Sequence, residues 1–224
     1  MDFQLSFKVN EKIYLRDPES SEVGKLIVKN AIDLIYELGF EHFTFKKLAI
    51  EIKSTEATVY RYFENKHRLL LYILNWYWCY MEFLVMFKLQ NNSDKHEKLK
   101  IIIDLLTHEL PESSGQFEYN KKYLNHIVIA ESSKVYLVKE VLEINKNEVF
   151  KPYKDLCAKI ASIILENKPD YQYARSLSTT LIETAHQQQF FSVYLPKLTD
   201  APTKKHNAEF TSLFLHDLVS KVLA

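Results

Sequence analysis

Residues 40–66 read Phe-Glu-His-Phe-Thr-Phe-Lys-Lys-Leu-Ala-Ile-Glu-Ile-Lys-Ser-Thr-Glu-Ala-Thr-Val-Tyr-Arg-Tyr-Phe-Glu-Asn-Lys. Thr44 opens one short helix, whose inward face is Leu48, Ala49 and Ile52. Lys53-Ser54 forms a tight turn. Ser54 or Thr55 caps a second helix that runs to about Phe63, with Val59 and Phe63, four apart, as its core face. Two short helices joined in this way can push the end of the second into a DNA major groove. The rest of the chain is much larger and reads as helical. The expectation is an all-α protein in which a small DNA-reading head is joined to a sensing body.

Toward the N-terminus, Gly39 stops a preceding helix as a left-handed cap. That helix starts at Asp17-Pro18, a capping side chain followed by proline at the first helical position. Val23, Ile27, Ala31, Leu34, Ile35 and Leu38 give it apolar spacing by threes and fours. Before it, Phe3, Leu5, Phe7 and Val9 alternate with polar residues, and Ile13 and Leu15 repeat the pattern. Residues 1–17 are thus an arm that is either a short hairpin, extended or disordered. Residues 18–66 form the helix-turn-helix head and 67–224 a helical body.

Toward the C-terminus, a long helix begins at Asn65 or Lys66 and runs to about Leu89. It is long and apolar enough to be weighed as a membrane span, but Asn75, Glu82 and Lys88 interrupt it and its aromatics are interior. A buried amphipathic helix is the better reading, so no membrane partner is expected. Ser93 can cap a helix from Asp94 to Leu110, and Pro111 to Gly115 is a break. Helical patterns follow at 117–131, 133–147, 148–167, 171–194 and 204–223, punctuated by Pro152, Pro169 and Pro196.

The totals agree. Hydrophobic residues make up 47% of 224, and three glycines with six prolines disfavour a β-sandwich or a glycine-looped α/β enzyme. Formal net charge is zero, so any basic surface for DNA must be local. Between residues 20 and 70, eight Lys and Arg face seven Asp and Glu. Cys79 and Cys157 are far apart and unpatterned, which suits a reducing cytoplasm. Asp2 and Lys8 break the apolar run a signal peptide would need.

Gly39-Phe40, Thr44, Leu48-Ala49, Thr58 to Phe63, Asn65-Lys66 and Leu69-Leu70 together resemble the TetR family of bacterial transcription regulators, over about residues 20–70. The resemblance implies an all-helical homodimer. A three-helix DNA-binding head sits on a body that holds a ligand pocket, and the last two long helices pair with those of a second copy. It also implies repression relieved by a small molecule. Three positions depart from the family pattern: Lys53 stands where glycine is common, Ser54 where an apolar residue follows, and Glu56 where a basic residue is frequent.

Candidate DNA-binding residues follow. Thr55, Glu56 and Ala57 occupy the first turn of the recognition helix, where side chains meet base edges. Glu56 can equally just favour the helix N-terminus. Thr44, Thr58, Tyr60, Tyr62 and Lys66 suit phosphate oxygens, although Tyr62 can pack on the first helix instead. Lys46, Lys47, Lys53 and Arg61 add counterion-releasing charge.

Candidate ligand-binding residues are Trp76, Tyr80, Phe83 and Phe87, which share roughly one face of the long helix, with Trp78 pointing elsewhere. Plain core packing is the competing role for each. His126 and His186 are lone polar groups on apolar stretches. Glu183-x-x-His186 has the spacing of helical di-metal sites, but no second pair accompanies it, so no metal is expected. No nucleophile elbow or phosphate loop is present, and neither catalytic residues nor cofactors are expected. The sequence therefore points to a ligand-responsive DNA-binding regulator, a repressor released by a small apolar or aromatic effector. The alternative is a protein that kept this architecture for small-molecule or protein binding and has weak or lost operator binding.

Overall fold

The computed structural model describes residues 6–110, 118–139, 141–201 and 207–224. Phe3, Leu5 and the break at Pro111 to Gly115 lie outside the described residues. The helices are α1 (Glu22–Leu38), α2 (Phe45–Glu51), α3 (Glu56–Tyr60), α4 (Lys66–Leu89), α5 (Lys95–Thr107), α6 (Lys121–Glu131), α7 (Ser133–Tyr136), α8 (Val141–Lys146), α9 (Lys151–Asn167), α10 (Ala174–Tyr194) and α11 (Asn207–Leu223), with three short 3-10 turns and no strand among the described residues. The chain divides into two compact units, Met1–Cys79 with Leu110–Lys151, and Tyr80–Glu109 with Pro152–Ala224.

The first unit holds the head. Asp17 caps a 3-10 turn, Pro18–Ser20, rather than the long helix. Ser21 starts α1 instead, its Oγ accepting the Gly24 N–H at 3.2 Å. Gly24 permits this entry, because a Cβ there would lie 2.2 Å from the Pro18 carbonyl oxygen. The buried stripe of α1 is Gly24, Ile27, Val28, Ala31, Ile32 and Ile35, whereas Val23 and Leu38 are exposed. At its end Gly39 has φ 76° and donates to the Ile35 carbonyl at 2.9 Å. The core closes over Phe40, Phe43, Leu48, Val59 and Phe63, all buried.

The arm is not a hairpin over its described residues. Glu11–Ile13 is a 3-10 turn with Ile13 buried. The Asn10 amide donates to the Asn147 carbonyl at 2.7 Å, and the Leu15 N–H to the Tyr62 carbonyl at 2.8 Å. Val9 and Ile13 bury within the first unit while Leu15 stays exposed, and hydrogen bonds from Asn10 and Leu15 tie the arm down without a strand partner.

Helix α4 differs from an amphipathic helix. From Leu69 to Trp78 every residue is buried, Asn75 included. Of its most apolar window 78% is buried, as for a core helix. Asn75 satisfies its amide by donating to the Leu71 carbonyl at 2.8 Å.

In the second unit α5, α10 and α11 pack mutually. Leu99, Ile102, Ile103 and Leu106 of α5, Leu181, Ile182 and Ala185 of α10, and Leu215 of α11 are buried there. Asp94, not Ser93, caps α5 with its carboxylate, accepting from the His96 N–H at 2.8 Å. The pattern at 133–147, expected as one helix, gives two short ones, α7 and α8.

Candidate nucleic-acid interface

Helix α2 ends in a six-residue closure that fixes the turn. The Ser54 N–H donates to the Ala49 carbonyl at 2.8 Å and the Lys53 N–H to the Ile50 carbonyl at 3.1 Å, with Lys53 at φ 51°. This is a Schellman closure with lysine where glycine is favoured, a strain of about 1 kcal/mol. Thr44 and Thr55 cap the two helices: Oγ1 of Thr44 accepts from Lys47 N–H and Oγ1 of Thr55 from Thr58 N–H, each at 3.2 Å. Val59 and the Phe45 ring hold α3 from below, Phe45 meeting Tyr60 edge-on at 5.0 Å.

The outward face follows. Thr44, Thr55, Glu56, Ala57 and Tyr60 are exposed, and Thr58 is half-buried. Tyr60 is 49% exposed. Thr58 Oγ1 joins Thr55 Oγ1 at 3.0 Å and accepts from Arg61 Nη2 at 3.1 Å, which orients the guanidinium beside α3.

Two expected phosphate contacts are engaged inside the protein. Tyr62 is buried, its hydroxyl 2.7 Å from Ser21 Oγ and its ring under the Arg16 guanidinium at 5.3 Å. Lys66 Nζ donates to the carbonyls of Phe40, Glu41 and Phe43 at 3.0, 3.2 and 3.3 Å and lies 4.7 Å from the Phe40 ring centroid. An ammonium has three donors, and all three are used here. The same loop is held from α6 and α7. Glu131 Oε1 accepts from the Phe40 N–H at 3.1 Å, while Lys134 bridges Glu131 at 2.9 Å and Glu41 at 2.6 Å. The Lys134 hydrogen bond holds the Glu41 carboxyl below its ordinary range. Sequence reasoning missed this clamp. Its only local mark is the Glu131-x-x-Lys134 spacing.

The candidate ligand residues divide between the units. Trp76, 3% exposed, packs edge-on against Phe7 at 5.2 Å and Tyr119 at 4.9 Å, with Lys121 Nζ over its ring at 5.2 Å. His126 meets the Tyr36 ring edge-on at 5.0 Å, and burial lowers its pKa. In the second unit Tyr80 is buried, whereas Phe83 and Phe87 are exposed and stack on each other at 6.0 Å. His186 is buried, and burial pushes its pKa down to about 4. Glu183 accepts from the Tyr153 hydroxyl at 2.7 Å, and no metal-competent cluster occurs among the described residues. Trp78 is also buried, its indole N–H donating to the Tyr136 hydroxyl.

Among the described residues of the first unit, two clefts have none of these six candidates in their lining. One, of 560 Å³, is polar and includes Lys29, Asp33, Glu37, Glu51, Glu118 and Lys121. Burial raises the Asp33 pKa there, with Lys29 opposing and Glu37 and Glu51 adding to it. The other, of 530 Å³, lies at the base of α4 against α7 and α8.

Residues 27–73 match the family model for bacterial regulatory proteins of the tetR family. No curated protein matches the chain by sequence. A transcriptional regulator from Rhodococcus sp. Rha1 shares the fold with TM-score 0.66 and 13% identity, over 93% of this chain and 96% of that one. AibR, solved in complex with isovaleryl coenzyme A and operator DNA, gives TM-score 0.60 and 16% identity over 86% and 98%. The superantigen PfiT gives 0.58 and 17% over 89% and 97%. The protein is therefore an all-helical one of the helix-turn-helix class. Its residues 27–73 are similar to the TetR-family N-terminal domain, and the chain shares its fold with the Rhodococcus regulator.

Proposed function

We propose that this chain is a non-enzymatic, ligand-responsive transcriptional regulator of the cytoplasm. It acts as a homodimeric repressor that a small effector releases from double-stranded operator DNA. The observation that carries the reading is the first turn of α3. A capped helix end, fixed by the Lys53–Ser54 closure, leaves Glu56, Ala57 and Tyr60 exposed and buries Val59 beneath. A helix end offered in this way is what major-groove reading needs. Thr55, Glu56 and Ala57 are assigned to base edges, and Thr44, Thr58, Tyr60 and Arg61 to phosphates. Lys66 and Tyr62 support the head from inside.

The test is fluorescence anisotropy with DNA flanking the protein's own coding region, over a salt series. Tyr60→Phe should weaken binding severalfold on all sequences alike, with unfolding unchanged, because phosphate contacts set register and carry no base information. Lys66→Ala should instead lower stability by about 1.5–3 kcal/mol, because three carbonyls lose a charged donor. It should leave the salt slope of any residual binding unchanged. A slope lowered by about one in Lys66→Ala at full stability would return Lys66 to the phosphate backbone.

The homodimer is assigned to α10 and α11. Leu177 and Leu181 serve the core of the second unit, while Tyr194, Leu213 and Phe214 are exposed, Leu213 by 64%. Two-fold pairing of that apolar surface would set the two heads about 34–36 Å apart or at a multiple of it. Light scattering at micromolar concentration should give twice the 26.5 kDa chain mass. A Leu213→Asp, Phe214→Asp variant should be monomeric, and a monomeric wild type counts against the assignment. The second reading, a ligand- or protein-binding protein without an operator, draws on the near-balanced charge of the head, eight basic against seven acidic residues over 20–70. Absence of salt-sensitive DNA binding would favour it.

A further inference from the structure

We propose that the cleft at the base of α4 binds a small amphipathic anion, an aliphatic carboxylate, through Arg68. Its volume of 530 Å³ lies within the usual range for small-molecule sites, about 300–1,000 Å³. Leu71, Val135, Val138 and Ile144 supply apolar walls, and Leu71 and Val135 are themselves buried. The lining includes the charged Arg68, Lys134 and Glu143, with the His67 imidazole beside them. Two of these are already neutralised at short range: Lys134 by Glu41 and Glu131 at 2.6 and 2.9 Å, and Glu143 by Lys146 at 2.7 Å. Among the described residues Arg68 has only a long ion-pair contact, its Nε 3.9 Å from Glu64. A guanidinium fork takes a carboxylate in two parallel hydrogen bonds, and an aliphatic chain attached to that carboxylate would cover the apolar walls. A cation or a wholly polar ligand would leave the walls wet and Arg68 uncompensated.

Binding at this cleft stands on its own geometry. Only its consequence rests on the regulatory reading. The cleft includes Asn65, His67 and Arg68, and Lys66 between them holds the carbonyls of Phe40, Glu41 and Phe43 in the head. An occupant there would bear on the loop that leads into α2.

The test is calorimetric titration of the full chain with sodium octanoate below its micellar concentration, with 1-octanol as the uncharged control. Octanoate should saturate one site. Arg68→Gln should weaken it at least tenfold, since a charged hydrogen-bond partner is lost. Val138→Glu, which places a carboxylate in the wall, should abolish it, and octanol should bind more weakly than octanoate. Melting by circular dichroism checks that both variants fold. If one variant does not, the other carries the comparison. No saturable binding to wild type, or equal affinity in wild type and the folded variants, overturns the site. DNA anisotropy on the same samples separates the two readings. Octanoate binding without DNA binding removes only the regulatory role, and DNA binding without octanoate binding removes only this site.

Discussion

Trp76→Ala is expected to lower the unfolding free energy by about 3–5 kcal/mol, the cost of removing a large aromatic side chain from a packed interior. The ring is 3% exposed, with Phe7 and Tyr119 edge-on to it and Lys121 over its face. Removing it breaks three aromatic or cation contacts at once. It also takes from Phe7 of the arm its ring partner on α4, while the arm keeps its hydrogen bonds from Asn10 and Leu15. Phe87→Ala on the same helix is the control. Phe87 is 61% exposed, and a surface truncation of this kind changes stability by no more than about 0.5 kcal/mol. Urea unfolding of the two variants decides between packed core and cavity wall. A Trp76→Ala loss below about 1 kcal/mol would mean that the ring borders empty space and does not fill it. An effector response altered at full stability would then restore the aromatic pocket expected from sequence.

The contrast between these two aromatics shows where sequence reading stops. The helix-turn-helix was legible in its caps and turn, whose determinants are local, although α3 ends at Tyr60 and not near Phe63. Thr44 and Thr55 bond backbone groups three residues on, and the turn closes within the six residues Ala49 to Ser54. The long α4 was legible as an element, but not in which way its rings point. Placing Trp76, Tyr80, Phe83 and Phe87 on one face assumes a helix with a single buried side. Leu69 to Trp78 is buried all round, so periodicity carries no directional information there.

Lys66 and Tyr62 illustrate a second limit. The motif fixes their residue types, but an ammonium serves a phosphate or three carbonyls equally well. Only the fold, by bringing Phe40, Glu41 and Phe43 some twenty-five residues back to Lys66, supplies the three carbonyls. Ser21 decides for Tyr62 from 41 residues away. The break between α7 and α8 had no signal, since the sequence from Ser133 to Lys146 contains neither glycine nor proline. That break supplies Val135, Val138 and Ile144 to a cleft that sequence analysis did not foresee.

His186 should make the protein acid-sensitive. Its imidazole is buried on α10, and burial pushes its pKa down to about 4. In the unfolded chain the same group titrates near its ordinary value of about 6.5. Above that value both states are neutral and His186 adds no pH dependence. Between about 6.5 and about 4 only the unfolded state takes up the proton, so stability falls as pH falls, by about 3 kcal/mol in total, and levels off below the folded pKa. His126, also lowered by burial, acts in the same direction. Asp94 and Glu41, whose pKa values are lowered by hydrogen bonds from the His96 N–H and from Lys134, lose their contributions at lower pH still. The His186 part is isolated by comparing wild type with His186→Gln, which keeps a polar side chain and cannot be protonated. The variant should start less stable at pH 7.5, having lost the native packing, yet lose much less on going to pH 4.5. The two urea midpoints should therefore converge as the solution is acidified. Parallel pH profiles for the two proteins would show that the imidazole takes up its proton without opening the second unit. Such profiles would remove burial of a neutral histidine as the cause of acid sensitivity.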